Sequence, residues 1–162
     1  NKRAVSLKEE FVNGSTFHRV LWDDAESGNS STKLKPDAEI RRVVICSGKI
    51  YFDLLEERDS RSISDIYILR LEQYYPFPAM SFIKELGRFK DADIVWCQEE
   101  PKNQGAWSFI EPNLEWSLSR VKAKCKRAKY VGRPAAASPA TGLATQHKKQ
   151  QSMIINEALN SD

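Results

Sequence analysis

Long apolar runs are missing from this chain. Stretches such as Val43-Val44-Ile45-Cys46 and Ile94-Val95-Trp96-Cys97 hold four residues each, against the roughly 20 that a membrane-spanning helix needs, so no membrane partner is expected. Histidine is scarce. With only His18 and His147, and three cysteines, no set of residues stands at metal-ligand spacing, and a metal site is not expected. An odd cysteine count, with two cysteines inside strand-like runs, argues for reduced, buried thiols rather than a disulfide framework. Charge of one sign is also lacking: 25 Lys and Arg stand against 22 Asp and Glu, a net +3. So small an excess gives no footprint for nucleic acid. Gly-x-Ser-x-Gly, Walker and Cys-x-x-Cys motifs are absent, which removes the usual carriers of nucleophilic, nucleotide-hydrolysing and redox chemistry. The amino end, Asn1 to Glu10, has no apolar core of a secretory signal and begins without Met, as a cut fragment would.

What remains is the composition of a folded soluble domain, 41% hydrophobic and 29% charged over 162 residues. Residues 1–39 show weak periodicity and contain the polar cluster Ser27 to Thr32, so they read as a connecting arm. Phe11, Val12, Phe17, Val20, Leu21 and Trp22 in that arm need cover from the domain or from something outside this chain. Residues 40–162 read as an α/β domain. From Arg41 onward, short β-branched runs alternate with amphipathic stretches, the mark of strand–helix units and a mostly parallel sheet.

Strands are expected at Arg42 to Cys46, Ile66 to Leu71, Asp93 to Cys97 and Ala128 to Val131. The third is almost wholly apolar, which predicts the centre of the sheet. A helix after Gly48 should bury Ile50, Leu54 and Leu55 and turn Glu56, Glu57 and Arg58 outward. Pro76-Phe77-Pro78 ends the second unit before a helix with Phe82, Ile83, Leu86 and Phe89 on one face. A loop over Gln98 to Gly105 precedes a helix interrupted near Pro112. The last helix, Gly142 to Leu159, should bury Leu143, Met153, Ile154 and Leu159.

Ligands of an open parallel sheet bind beyond the carboxyl ends of its strands. Cys46-Ser47-Gly48-Lys49 joins small residues, a helix start and a lysine, a combination able to hold an anion, although tight turns use the same residues for purely structural ends. Glu99 and Glu100 beside Asn103, Gln104 and Trp107 suggest either an acid–base pair or two carboxylates pointing apart to fix a loop. Arg70 and Glu72 add a cation and a carboxylate nearby, most simply as a structural ion pair. The basic run Lys122, Lys124, Lys126, Arg127 and Lys129 reads as a solvated segment. Residue chemistry alone points to a binding or assembly domain with no catalytic, cofactor-binding or metal-binding residue of its own.

Four motifs in order, Val43 to Lys49, Arg70 to Pro78, Trp96 to Trp107 and Gly132 to Ala140, resemble the carboxyl-terminal part of the dehydrogenase subunit of the 2-oxoglutarate dehydrogenase complex. The resemblance implies a transketolase carboxyl-terminal fold, a three-layer α/β/α sandwich around a mostly parallel mixed sheet. It also implies a parent oxidoreductase of the tricarboxylic acid cycle. That parent uses thiamin diphosphate and Mg²⁺ to decarboxylate 2-oxoglutarate, passes the succinyl group to the lipoamide of the dihydrolipoyl succinyltransferase component, and works as a homodimer in a multienzyme complex. Its location would be the bacterial cytoplasm or the mitochondrial matrix. The family's Gly-Asp-Gly cofactor motif is absent, so this chain alone is expected to be inactive and to bind neither cofactor.

In some members of the family the last domain takes part in binding AMP or acetyl-CoA. Ser47, Gly48 and Lys49, with Arg70 and Gln104 as neighbours, are therefore expected to form an anion or effector corner. Glu99, Glu100, Asn103 and Trp107 are expected to fix the loop against the upstream domains. The alternative is a self-contained nucleotide or small-anion module built on Ser47 to Lys49.

Overall fold

The computed structural model describes residues 5, 8–12 and 14–160; the rest of the amino-end reading falls outside these. Among the described residues, five strands and four α-helices follow one another as β1 (Val20–Leu21), β2 (Arg42–Cys46), α1 (Ile50–Ser60), β3 (Ile66–Leu71), α2 (Ala79–Leu86), β4 (Asp93–Pro101), α3 (Trp107–Val121), β5 (Lys129–Arg133) and α4 (Ala144–Leu159). The sheet order is β1-β3-β2-β4-β5, with β1 antiparallel and the remaining pairs parallel. Parallel strands need crossovers, and the helices that supply them cover both faces. One core joins Val43, Ile45, Tyr67, Leu69 and Trp96 to Phe82 and Leu86 of α2 and to Ile110, Leu114 and Leu118 of α3. The other joins Val44, Cys46, Ile66, Ile68 and Val95 to Leu54 of α1 and Ile154 of α4. Alternate residues of each strand thus feed opposite cores, which yields the expected three-layer α/β/α sandwich.

The centre of the sheet is β2 rather than the expected β4. All five β2 residues are buried, whereas β4, also an interior strand, carries Glu99 and Glu100 toward solvent at its far end. An apolar run marks any strand with neighbours on both sides and does not rank them. Residues 98–101, expected in a loop, continue β4 and pair Pro101 with Arg133 across an irregularity in register. That pairing also moves β5 to Lys129–Arg133. Helix α3 runs through Pro112 without a break. Leu143, just before α4, and Met153 within it stay exposed, while Ile154, Ala158 and Leu159 are buried.

Part of the segment read as an arm belongs to the sheet. Val20 and Leu21 pair with Leu71 and Arg70 on the outer edge of β3. Arg58 is the reason the chain stays there. Expected to face outward, it is fully buried and binds the equally buried Asp23. The same Asp23 carboxylate accepts the backbone N–H groups of Ile68 at 2.8 Å and Ala25 at 2.9 Å. A buried charge demands such a partner, and the periodicity of α1 could not disclose one located 35 residues upstream. Phe11, Phe17 and Trp22 remain exposed.

Candidate functional site

Strand order reverses beside β2. From β2 the chain crosses through α1 to β3 on one side, then returns through α2 to β4 on the other. The turns leaving β2 and β4 diverge at this point, which is where an open α/β sheet opens a crevice. The first turn needs Gly48, whose φ of +69° is costly for a residue with a Cβ. The second needs Gly105 at +66°, where a Cβ would lie 3.0 Å from both Gln98 Nε2 and Glu100 Cβ.

Lys49 spans the crevice. Its ammonium group lies 3.0 Å from Glu99 of β4 and 2.9 Å from Asp53 one turn along α1. Gln151 of α4 donates to the same carboxylates, at 2.9 Å to Glu99 and 3.1 Å to Asp53. Partial burial works against the lysine's charge, but the bonds to Asp53 and Glu99 outweigh it and hold the amine above its ordinary range. Ser47 Oγ and the Gly48 N–H both donate to Glu72, at 3.4 and 3.2 Å. The donors of the expected anion corner thus meet carboxylates of the chain itself.

The other expected corner residues lie apart from it. The Arg70 guanidinium stacks on the Tyr51 ring, 4.0 Å from its centroid, and faces Asp24 at 3.6 Å. It pairs with the arm rather than with Glu72. Gln104 donates to the Ala136 carbonyl at 3.1 Å. Neither shares a hydrogen bond or ion pair with Lys49. Glu99 and Glu100 point to different sides of β4, Glu99 toward Lys49 and Glu100 toward Gly105, so they do not form an acid–base couple. Asn103 bonds Ala136 twice, at 3.0 Å each way, and Trp107 is buried with its ring 5.3 Å from Tyr130. These residues fix the loop within the domain.

The residue that organises this loop, Gln98, escaped the sequence reading. Its Oε1 accepts from Trp96 Nε1 at 2.9 Å and from the Trp107 N–H at 3.1 Å, while Nε2 donates to the Gln104 carbonyl at 2.9 Å and the Pro101 carbonyl at 3.2 Å. A buried amide at the end of an apolar run needs that many partners, and this was the available signal. Beside the crevice, α1 and α4 bound a cleft of about 470 Å³ that includes Lys49, His147, Lys148 and Ile155. His147 Nδ1 lies 2.9 Å from the guanidinium of Arg133.

The family model described as 2-oxoglutarate dehydrogenase C-terminal matches residues 5–159. The chain belongs to that family. Among relatives, the 2-oxoglutarate dehydrogenase E1 component of Brucella anthropi is 57% identical over 162 residues, which cover 99% of this chain and 16% of the relative. The proteins of the same name from Brucella ovis and Brucella canis are each 58% identical over 160 residues, again covering 16% of their length. The chain therefore corresponds to a small, carboxyl-terminal share of these family members. Among the described residues no group of three or more His, Cys, Asp or Glu is placed to hold a metal.

Proposed function

We propose that the chain acts as the non-catalytic carboxyl-terminal assembly and regulatory domain of a dehydrogenase subunit that decarboxylates 2-oxoglutarate. The rest of that subunit would bind thiamin diphosphate and Mg²⁺, pair as a homodimer, and pass succinyl to the dihydrolipoyl succinyltransferase component. Its place is the bacterial cytoplasm or the mitochondrial matrix. The observation that carries this reading is Lys49 held between Asp53 and Glu99 at the strand switch point. A crevice whose lysine is held by the chain's own carboxylates serves cohesion better than turnover. Purified chain, supplied with thiamin diphosphate, Mg²⁺ and 2-oxoglutarate, should release no CO₂. The longer polypeptide should release CO₂ and should lose dimer mass in sedimentation when this domain is deleted. Turnover by the isolated chain would discard the proposal.

A regulatory role rests on the same corner. Ser47 and Gly48 hold Glu72 at long distances, on the exposed side of the turn, so an incoming phosphate or acyl-CoA headgroup can exchange with that carboxylate and draw on Lys49. Calorimetry of the longer polypeptide with AMP or acetyl-CoA should show weaker binding after Lys49→Ala, and unchanged affinity would remove the corner from the account. A self-contained anion module would instead be stabilised as the isolated chain, by mass action, in a thermal-shift titration.

A further inference from the structure

The basic run Lys122 to Lys129 divides in the folded chain. Arg127 faces Glu111 and Glu115, and Lys129 faces Glu157. Lys122 instead lines a groove between the carboxyl ends of α2 and α3. The backbone bond from the Lys124 N–H to the Lys90 carbonyl, 2.8 Å, ties the two segments there. The groove, about 620 Å³, is floored by Ile83, Gly87 and Val121 and walled by Lys84, Arg88, Lys90, Arg120 and Lys122, with no acidic residue in its lining. Arg88 is engaged by Glu26, Asp37 and Glu85. The other four cations have no carboxylate partner among the described residues.

This groove continues along the outer face of α3. Phe109, Pro112, Trp116 and Arg120 recur at helical spacing on one stripe, all exposed, with Phe109 43% and Trp116 44% accessible. From Phe109 to Lys122 the stripe is about 20 Å long at 1.5 Å per residue. That reach exceeds a small anion and suits an extended chain. The guanidinium of Arg120 lies 5.2 Å from the Trp116 ring centroid and covers one face of it. A covered ring is a poor platform for stacking a base, while the stacked guanidinium keeps its N–H fork for a carboxylate.

We propose that the α2–α3 groove and the Phe109–Trp116 stripe form a docking surface for an acidic segment of a separate protein, with an apolar side chain seated on Ile83 and Val121. Charge complementarity names the partner's chemistry. The wealth of unpaired lysine argues against a permanently buried interface, which sheds lysine and is more apolar, and for a partner that comes and goes. The proposal draws on this chain's surface alone and stands apart from the reaction of the longer polypeptide.

Fluorescence anisotropy with a labelled peptide of Glu and Asp carrying two Leu anchors tests it on the 162-residue chain. Saturable binding is expected, weakened about tenfold or more by the pair Lys84→Glu and Lys90→Glu, and weakened by added salt. Trp116→Ala should weaken it about fivefold or more. Circular dichroism checks that each variant keeps its fold. Unchanged binding by the charge-reversal pair overturns the proposal, as does tighter binding of a single-stranded oligonucleotide to the same residues. Absence of peptide binding when this chain is part of the longer polypeptide would show the stripe covered from within and would overturn the assignment to a separate partner. Loss of 2-oxoglutarate turnover in any of these proteins bears on the function proposed above and not on this surface.

Discussion

Arg58 and Asp23 form an ion pair from which solvent is entirely excluded, with Arg58 Nη2 2.9 Å from Asp23 Oδ1. The pair joins the end of α1 to the segment before β2, and the Asp23 carboxylate also caps the Ile68 N–H of β3. One interaction therefore holds helix, sheet edge and arm together.

Breaking that pair on one side should be costly. Asp23→Ala leaves the buried guanidinium with only the more distant Asp59, 3.8 Å away, as counter-charge and is expected to lower stability by about 3 kcal/mol. Adding Arg58→Met should restore part of the loss, because the under-compensated charge goes as well, although the Ile68 N–H stays unpaired. Urea denaturation of the two single variants and the double variant reads the coupling. Strict additivity would count against the pair as the anchor of the arm.

Acid and alkaline stability should respond to different residues. Burial works to raise the Asp59 carboxyl, but Ser30 and Thr32, the Ser31 N–H and the Arg58 charge together hold it below its usual range. A depressed carboxylate stabilises above its unfolded value, about pH 4, and loses that contribution as pH falls through its folded value. Asp59→Asn should thus be less stable than the parent at neutral pH and converge on it in acid. Lys49 is raised, so its contribution is complete below about pH 10 and fades as pH climbs through the folded value. Lys49→Met should differ from the parent at neutral pH and converge in alkali. Denaturation midpoints across pH check both, and parallel curves would contradict them.

Much of this fold was legible. The runs at 42–46 and 66–71 are rich in β-branched and other apolar residues between breakers, and both form strands at the expected bounds. What the sequence hid depends on partners far along the chain. A two-residue strand such as Val20–Leu21 has no periodicity to detect, and only the unpaired edge of β3 makes it a strand. Arg58 carries the same letter as a solvated arginine, and its burial follows from an aspartate in a segment that reads as an arm. At the candidate site, the Ser47 to Lys49 turn and the Glu99 loop were identifiable as strand exits. That Lys49 meets Glu99, while Arg70 turns to Tyr51, follows from strand order and not from spacing.

Gln98 should prove the most sensitive position in the β4–α3 loop. Gln98→Leu removes acceptors from Trp96 Nε1 and the Trp107 N–H and leaves buried donors unsatisfied, at about 1–3 kcal/mol for each group. Loss of cooperativity in near-ultraviolet circular dichroism, where Trp96 and Trp107 report, should accompany the drop in denaturation midpoint. A variant with unchanged spectrum and midpoint would remove Gln98 from its organising position.

The three thiols should fall into two classes. Burial pushes the Cys46 and Cys97 thiols well up, with Cys97 and Glu72 adding to it at Cys46 and Glu99 and Glu157 at Cys97, and both lie in the core between the sheet and α1 and α4. Cys125 is partly exposed, its thiol 3.0 Å from the Arg127 carbonyl. A disulfide reagent at neutral pH should label Cys125 alone in the folded chain and all three after denaturation. Rapid labelling of Cys97 in the native state would contradict the packing of β4.

Arg42, at the start of the central strand, reaches the carbonyls of Glu157, Ala158 and Asn160 at the end of the last helix. A cation there complements the helix terminus. During synthesis that guanidinium leaves the ribosome long before its acceptors exist, so the β2 scaffold stays incomplete until α4 has emerged. The sandwich should consequently close in one late, concerted event rather than accrue unit by unit behind the growing chain.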